Sequence, residues 1–177
     1  FILMACRMLT DKGIMEFCSA AKTIINKHKC KVQFKLAGPI DIHSPTSISE
    51  HNLKVICNKN NVEYLGNRID MNILLATAKI FVYPSYYPEG IPKVLLEAAA
   101  SGTPILTTDH PGCKDAIIYG KTGFTVEPKN VVELSNMILK MLKSNDLKNM
   151  GIAARKFAEL QFNENHVIKK HFEIYSM

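Results

Sequence analysis

Five cysteines, Cys6, Cys18, Cys30, Cys57 and Cys113, form no Cys-x-x-Cys pair. Their odd number, scattered through apolar stretches, suits reduced thiols and not a disulfide or zinc framework. The histidines, His28, His43, His51, His110, His166 and His171, have no metal-ligand spacing either. No Asp-x-Asp pair is present to hold a cation on a diphosphate. A Gly-x-Gly-x-x-Gly fingerprint is missing, which counts against a nicotinamide or flavin dehydrogenase. The apolar run Phe1 to Cys6 stops at Arg7. It is too short to span a membrane and lacks the basic leader and cleavage pattern of a secretory signal. With reduced thiols and no targeting segment evident, the expected compartment is cytoplasmic.

What is there has the composition of an ordinary folded domain. The 177 residues, 47% hydrophobic and 21% charged, suffice to bury one core but not two. A single domain over residues 1–177 is expected, and the abrupt apolar start suits a piece of a longer protein. The net charge of +6 is spread along the chain. Without a basic block and interleaved aromatics, nucleic acid is not an expected partner. A solvated basic surface and attraction to anionic phosphates or lipid both remain open.

Short β-branched apolar runs alternate with helical patterns, the signature of β-α units around a parallel sheet. The spacing predicts strands at 1–7, 32–37, 62–65, 80–83, 104–107 and 123–126. Helices are predicted at 13–27, 47–59, 70–78 and 92–101, with more after residue 129. A Rossmann-like α/β domain follows. Pro92 suits a first helical turn, where its missing N–H is no loss, and Gly102 suits the αL cap of the same helix. Internal repeats and low-complexity tracts are absent. The loop 39–46 is read as mobile, and the more polar end 163–177 as frayed.

Glu89 and Glu97, with seven residues between them, bracket a strand-to-helix junction. Ligands of parallel sheets bind outside the carboxyl ends of the strands, so Glu89 should point into the crevice there. Helix-start N–H groups near Gly90, Ile91 and Lys93 would offer donors and a positive dipole end to a diphosphate. Glu97 could accept hydrogen bonds from a vicinal diol such as ribose. Its neighbours Val94, Leu95, Leu96 and Ala98 to Ala100 predict a mostly buried helix, where a carboxylate is costly unless paired or ligand-bound. Arg7 and Lys12, five residues apart after the first strand, could clamp a diphosphate and neutralise charge on a leaving group. Alternatively, Arg7 pairs with a local acid such as Asp11 and Lys12 is exposed.

Other features read as structural. Gly120-Lys121-Thr122 resembles the end of a phosphate-binding loop, but the required glycine five residues earlier is Asp115, so a turn is expected. His110-Pro111-Gly112 is a loop after the fifth strand, near the pocket. Cys113 lacks an indicated histidine partner and reads as a spectator thiol. The amphipathic stripe 131–142 reads as a helix packed on the sheet.

Together, Arg7-Met8-Leu9-Thr10-Asp11-Lys12-Gly13 and Glu89-Gly90-Ile91-Pro92 through Glu97 resemble signatures of the large family of retaining GT-B glycosyltransferases. The resemblance extends to Leu36-Ala37-Gly38, Val62-Glu63-Tyr64-Leu65-Gly66, Pro84-Ser85, Gly102-Thr103-Pro104 and Gly120-Lys121-Thr122-Gly123-Phe124, in order. It implies the C-terminal, donor-binding half of a GT-B fold. By resemblance, Arg7 and Lys12 would bind the diphosphate and assist its departure, Glu89 would contact the donor sugar, and these three would be catalytic. Glu97 would hold the ribose, with the main chain of Gly66 and Asn67 near the base. A commoner glycine is replaced by Pro92, which offers no N–H. The Gly-x-Pro-Lys version resembles a subgroup acting on polyprenol-diphosphate-linked sugars, which points to a UDP-N-acetylhexosamine donor. Retention of configuration and no bound metal or other cofactor are further implications. The implied partners are a nucleotide sugar, an acceptor-binding N-terminal domain and a lipid-linked glycan acceptor. The complete protein would then sit peripherally at the inner face of the membrane. A GT-B nucleotide-sugar epimerase and a non-catalytic nucleotide-sugar-binding scaffold are the rival readings.

Overall fold

A computed structural model describes residues 1–29 and 31–176; Cys30 and the side chain of His166, both weighed above, lie outside the described residues. Six strands, β1 (Ile2–Ala5), β2 (Phe34–Ala37), β3 (Val62–Tyr64), β4 (Ile80–Tyr83), β5 (Ile105–Thr108) and β6 (Gly123–Val126), form one sheet in the order β3-β2-β1-β4-β5-β6. Every pairing is parallel. The helices are α1 (Ile14–His28), α2 (Glu50–Lys59), α3 (Met71–Thr77), α4 (Lys93–Ala100), α5 (Val131–Lys143), α6 (Leu147–Gln161) and α7 (Glu164–Tyr175). The Rossmann-like α/β architecture expected from the alternation is the one observed.

The central strands β1 and β4 are apolar and buried throughout because helices cover both faces of the sheet. Along β1 the side chains alternate between two cores. Ile2 and Met4 join α1, α2 and α5 through Phe17, Leu53 and Ile138. Leu3 and Ala5 join α3, α4 and α6 through Leu75, Leu95 and Ala154. Phe17 is fully buried and meets Phe34 edge to face at 5.7 Å, which locks α1 to β2. The stripe at 131–142 buries Leu134, Ile138 and Met141, so its reading as core packing holds.

Most element ends shift by a few residues from expectation, and two of the differences have a visible cause. Pro92 has φ −61° but ψ 127°, so it is the N-cap and α4 starts one residue later. The end of the chain forms α7 where fraying was expected, started by the Asn163 side chain, which accepts from the Asn165 N–H at 3.0 Å. Ser49 and Asn130 start α2 and α5 in the same way. Gly102 has the positive φ of a helix-ending residue.

Strand order reverses between β1 and β4, which pair through Ile2 with Ile80 and Leu3 with Phe81. Loops leaving their carboxyl ends diverge to opposite faces, so a crevice opens there. Phe17→Ala should remove the α1–β2 contact and cost about 3–5 kcal/mol. The check is the urea midpoint; a shift worth under about 1 kcal/mol would mean that α1 is not anchored through this ring.

Candidate donor-binding site

After β1 the chain passes Cys6 and Arg7, turns through a 3-10 helix at Thr10–Lys12, and enters α1 at Gly13. Met8 and Leu9 are buried and pull this loop inward. A side chain at Gly13, where φ is 83°, would collide with the Pro84 backbone, so the turn packs directly on the end of β4. Lys12 is thereby buried, at 3% exposure, which sets aside the alternative of an exposed lysine.

Its ammonium forms an ion pair with Glu89 Oε1 and lies 4.2 Å from the centroid of the Tyr87 ring. Tyr83 Oη donates to the same Glu89 oxygen at 3.0 Å. A lone buried lysine would be costly; the carboxylate and the ring face together offset that cost. Thus Lys12 and Glu89, 77 residues apart in sequence, meet at the crevice between β1 and β4.

Arg7 is half-exposed and its Nη1 donates to Asp41 Oδ2 at 2.8 Å, so its acid is Asp41 and not Asp11. The partner comes from the loop after β2, which sequence distance hides. That hydrogen bond raises the Arg7 pKa, opposed by burial, with Asp41, Tyr87 and Glu89 adding by charge. The 39–46 loop is tied to the Arg7 loop at both ends. Met8 N–H donates to Pro39 O and Thr10 N–H to Thr46 O, both at 2.9 Å.

Beside the crevice, at the carboxyl ends of β1 and β2, is a cavity of about 150 Å³ lined by Cys6, Gly38, Asn67, Arg68, Val94 and Glu97. Gly66 O accepts the Gly38 N–H at 2.8 Å, and Tyr64 Oη donates to Gly38 O at 2.8 Å, which ties the loops after β2 and β3 together. Asn67 and Glu97 thus share one cavity, with Gly66 behind it. Glu97 is not in a buried environment as expected: its side chain is 43% exposed and stands 3.6 Å from Lys93 Nζ. The reason is the narrowness of the apolar face of α4, which buries Leu95, Ala98 and Ala99 and leaves Glu97 toward the cavity.

Gly90 and Ile91 lie in the loop before α4, and Lys93 is its first residue. First-turn N–H groups have no intrahelical acceptor, and Val94 places that end of the helix against the cavity. The loop after β5 supports the Glu89 segment. A Cβ on Gly112 would lie 2.5 Å from Glu89 O and closer still to Gly90 O.

Several residues escape the sequence reading. Tyr83 and Tyr87 carry no role there, although a polar-tipped aromatic at the carboxyl end of an apolar strand is a usable signal. Arg68 is held flat by Asp70, with Nε and Nη2 donating at 2.9 and 2.7 Å. Asp41 leaves no local pattern. Burial pushes the Cys6 thiol up to about 12 and also raises the pKa of Cys113, so neither is a ready nucleophile. Gly120-Lys121-Thr122 is a turn at the amino end of β6, where Thr122 Oγ1 accepts the Ile118 N–H at 2.7 Å. That edge lies opposite the crevice. A larger hollow of about 650 Å³, lined by Lys79, Gly102, Lys148 and Arg155 among others, also lies at that opposite edge and contains none of the predicted site residues. Among the described residues no three His, Cys, Asp or Glu side chains cluster as metal ligands would.

The chain is 36% identical over 175 residues to the N,N'-diacetylbacillosaminyl-diphospho-undecaprenol alpha-1,3-N-acetylgalactosaminyltransferase of Campylobacter jejuni, covering 98% of this chain and 44% of that protein. It is 27% identical to the capsular polysaccharide biosynthesis glycosyltransferase CapM of Staphylococcus aureus, covering 96% and 44%. The chain thus spans less than half the length of these relatives. A glycosyltransferase from Rickettsia africae superposes with a TM-score of 0.84 at 26% identity, over 98% of this chain and 46% of that one. Anabaena HepE, solved in complex with UDP, has the same fold, with a TM-score of 0.84 at 22% identity over 99% and 48%. With the profile of glycosyl transferases group 1 matching residues 1–157, the chain belongs to that family.

Proposed function

We propose that this domain is the donor-binding half of a retaining glycosyltransferase, taking a hexose or N-acetylhexosamine from a UDP-sugar. The observation that carries this reading is the meeting of Lys12, Glu89 and Tyr83 at the β1–β4 crevice, beside the cavity that holds Glu97. An acceptor-binding half would precede it, and the whole protein would extend a glycan on a polyprenol-diphosphate carrier during surface polysaccharide or glycoconjugate synthesis. The name of the Campylobacter relative supports the acceptor and the N-acetylhexosamine, and the UDP complex of the Anabaena protein supports the nucleotide. Among the described residues no helix is long and apolar enough to cross a membrane. Peripheral work at its cytoplasmic face fits a carrier-bound acceptor.

In this reading the diphosphate displaces Glu89 from Lys12 and takes a share of the Arg7 guanidinium from Asp41. Glu89 is then released to accept hydroxyls of the sugar, and Glu97 accepts those of the ribose. As the bond from the anomeric carbon to the diphosphate breaks, charge builds on the departing UDP. Arg7 and Lys12 neutralise it in place, a role a metal would otherwise fill. First-turn N–H groups of α4 and the Gly90 backbone add donors, less the one that Pro92 lacks.

Calorimetric titration of the domain with UDP, GDP and ADP tests the site. UDP should bind best and keep its affinity in EDTA, and Arg7→Ala and Glu97→Ala should each weaken it about tenfold or more, as expected for lost charge-assisted contacts. Equal indifference to all three nucleotides would sink the reading. Gly112→Ala should push the Glu89–Gly90 backbone and lower UDP-sugar affinity while cooperative melting persists. Unchanged affinity would show that the loop after β5 does not set the position of Glu89.

A further inference from the structure

Glu89 has two donors on one oxygen, and they differ in what an arriving anion does to them. Lys12 is a full charge at the end of a flexible stem, and a diphosphate with two negative charges competes for it directly. Tyr83 is neutral and fixed. It closes β4 at 2% exposure, its ring stacks on Phe81 at 6.4 Å and 16°, and it sits among Leu95, Ala98 and Cys113 in the second core. Its main-chain oxygen is held as well, by Thr107 Oγ1 at 2.8 Å. Neither ring nor backbone is free to follow a ligand.

The Glu89 side chain, unlike its backbone against Gly112, is packed into neither core. It lies in the loop between β4 and α4, flanked by exposed Pro88 and Gly90. Both contacts fall on Oε1 while the side chain keeps 26% exposure, so Oε2 is the oxygen able to meet a sugar hydroxyl. A carboxylate that loses its only ammonium partner would be free to rotate, and part of its binding energy would go into refixing it.

We propose that Tyr83 is a positioning residue for donor-sugar recognition: its phenol holds Glu89 Oε1 after Lys12 turns to the diphosphate, and so keeps Oε2 aimed at the sugar. Burial, then the nearby Glu89 charge, raise the phenol pKa, so it remains a donor throughout the neutral range. The inference rests on the donor-site reading above and goes beyond it by dividing the two jobs at Glu89 between Lys12 and Tyr83.

The test is the ratio of affinities for a UDP-N-acetylhexosamine and for UDP, measured by calorimetry on this domain. UDP carries no hexose and reports the base, ribose and diphosphate contacts alone. Tyr83→Phe keeps the ring and should leave UDP affinity within about twofold, while the ratio falls about five- to tenfold, the loss of one aligned hydrogen bond. Glu89→Gln should lower the ratio at least as far, and the double variant should add little to Glu89→Gln alone. A ratio unchanged in Tyr83→Phe but lowered in Glu89→Gln would overturn the proposal. So would a parallel loss of both ligands with a lowered melting temperature, because that is a packing defect. If wild-type protein binds neither ligand, the donor-site reading fails first, and Tyr83 with it.

Discussion

Every part of the candidate site depends on β1 and β4 lying side by side. Only Ile2 and Leu3 of β1 register directly with β4, yet this short pairing brings the loop of Arg7 and Lys12 against the loop of Glu89. Because the connections from these two strands pass to opposite faces, no helix crosses their carboxyl ends. The double-sided burial of the sheet makes the pairing rigid. Its two cores meet through alternate residues of β1, so neither helix layer can shift without moving the strand that carries the site.

Within that frame the electrostatics are closed on themselves. Lys12 is satisfied by Glu89 and the face of Tyr87, and Arg7 by Asp41. A buried ammonium is tolerable only with such partners, and the carboxylates supply what water would otherwise provide. Under the proposed function, an anionic ligand would bind here by exchange of partners and not by filling an unmet charge. Such exchange favours ligands that offer both an anion for Lys12 and hydroxyls for the carboxylate it releases. A sugar nucleotide offers both on one molecule, whereas inorganic phosphate offers only the first.

Membership in the glycosyl transferases group 1 sets the context in which this geometry acts. The chain answers for less than half of the relatives it matches, so the division of labour proposed here is between donor recognition in this domain and acceptor recognition elsewhere. A rigid Tyr83 beside a carboxylate carried on a loop suits that division. The donor sugar can be oriented from below by the sheet while its other face stays available.

The periodicity of apolar residues by itself determined the parallel α/β fold and nearly every element, because a strand buried on both faces must be apolar throughout and a helix on a sheet must show one apolar stripe. It also exposed Arg7, where a charge breaks an apolar run at a strand end, while Lys12, Glu89 and Glu97 stood out by their spacing at strand-to-helix junctions. Only the tertiary structure decided which charges meet. Arg7 found Asp41 through the loop after β2, Lys12 was buried by packing of Gly13 on Pro84, and Glu97 was left half-exposed by the turn of α4. Tyr83 and Arg68 became legible only there too. Partners across a parallel sheet are set by strand order, and that order is a property of the packed cores, which no local pattern in the chain records.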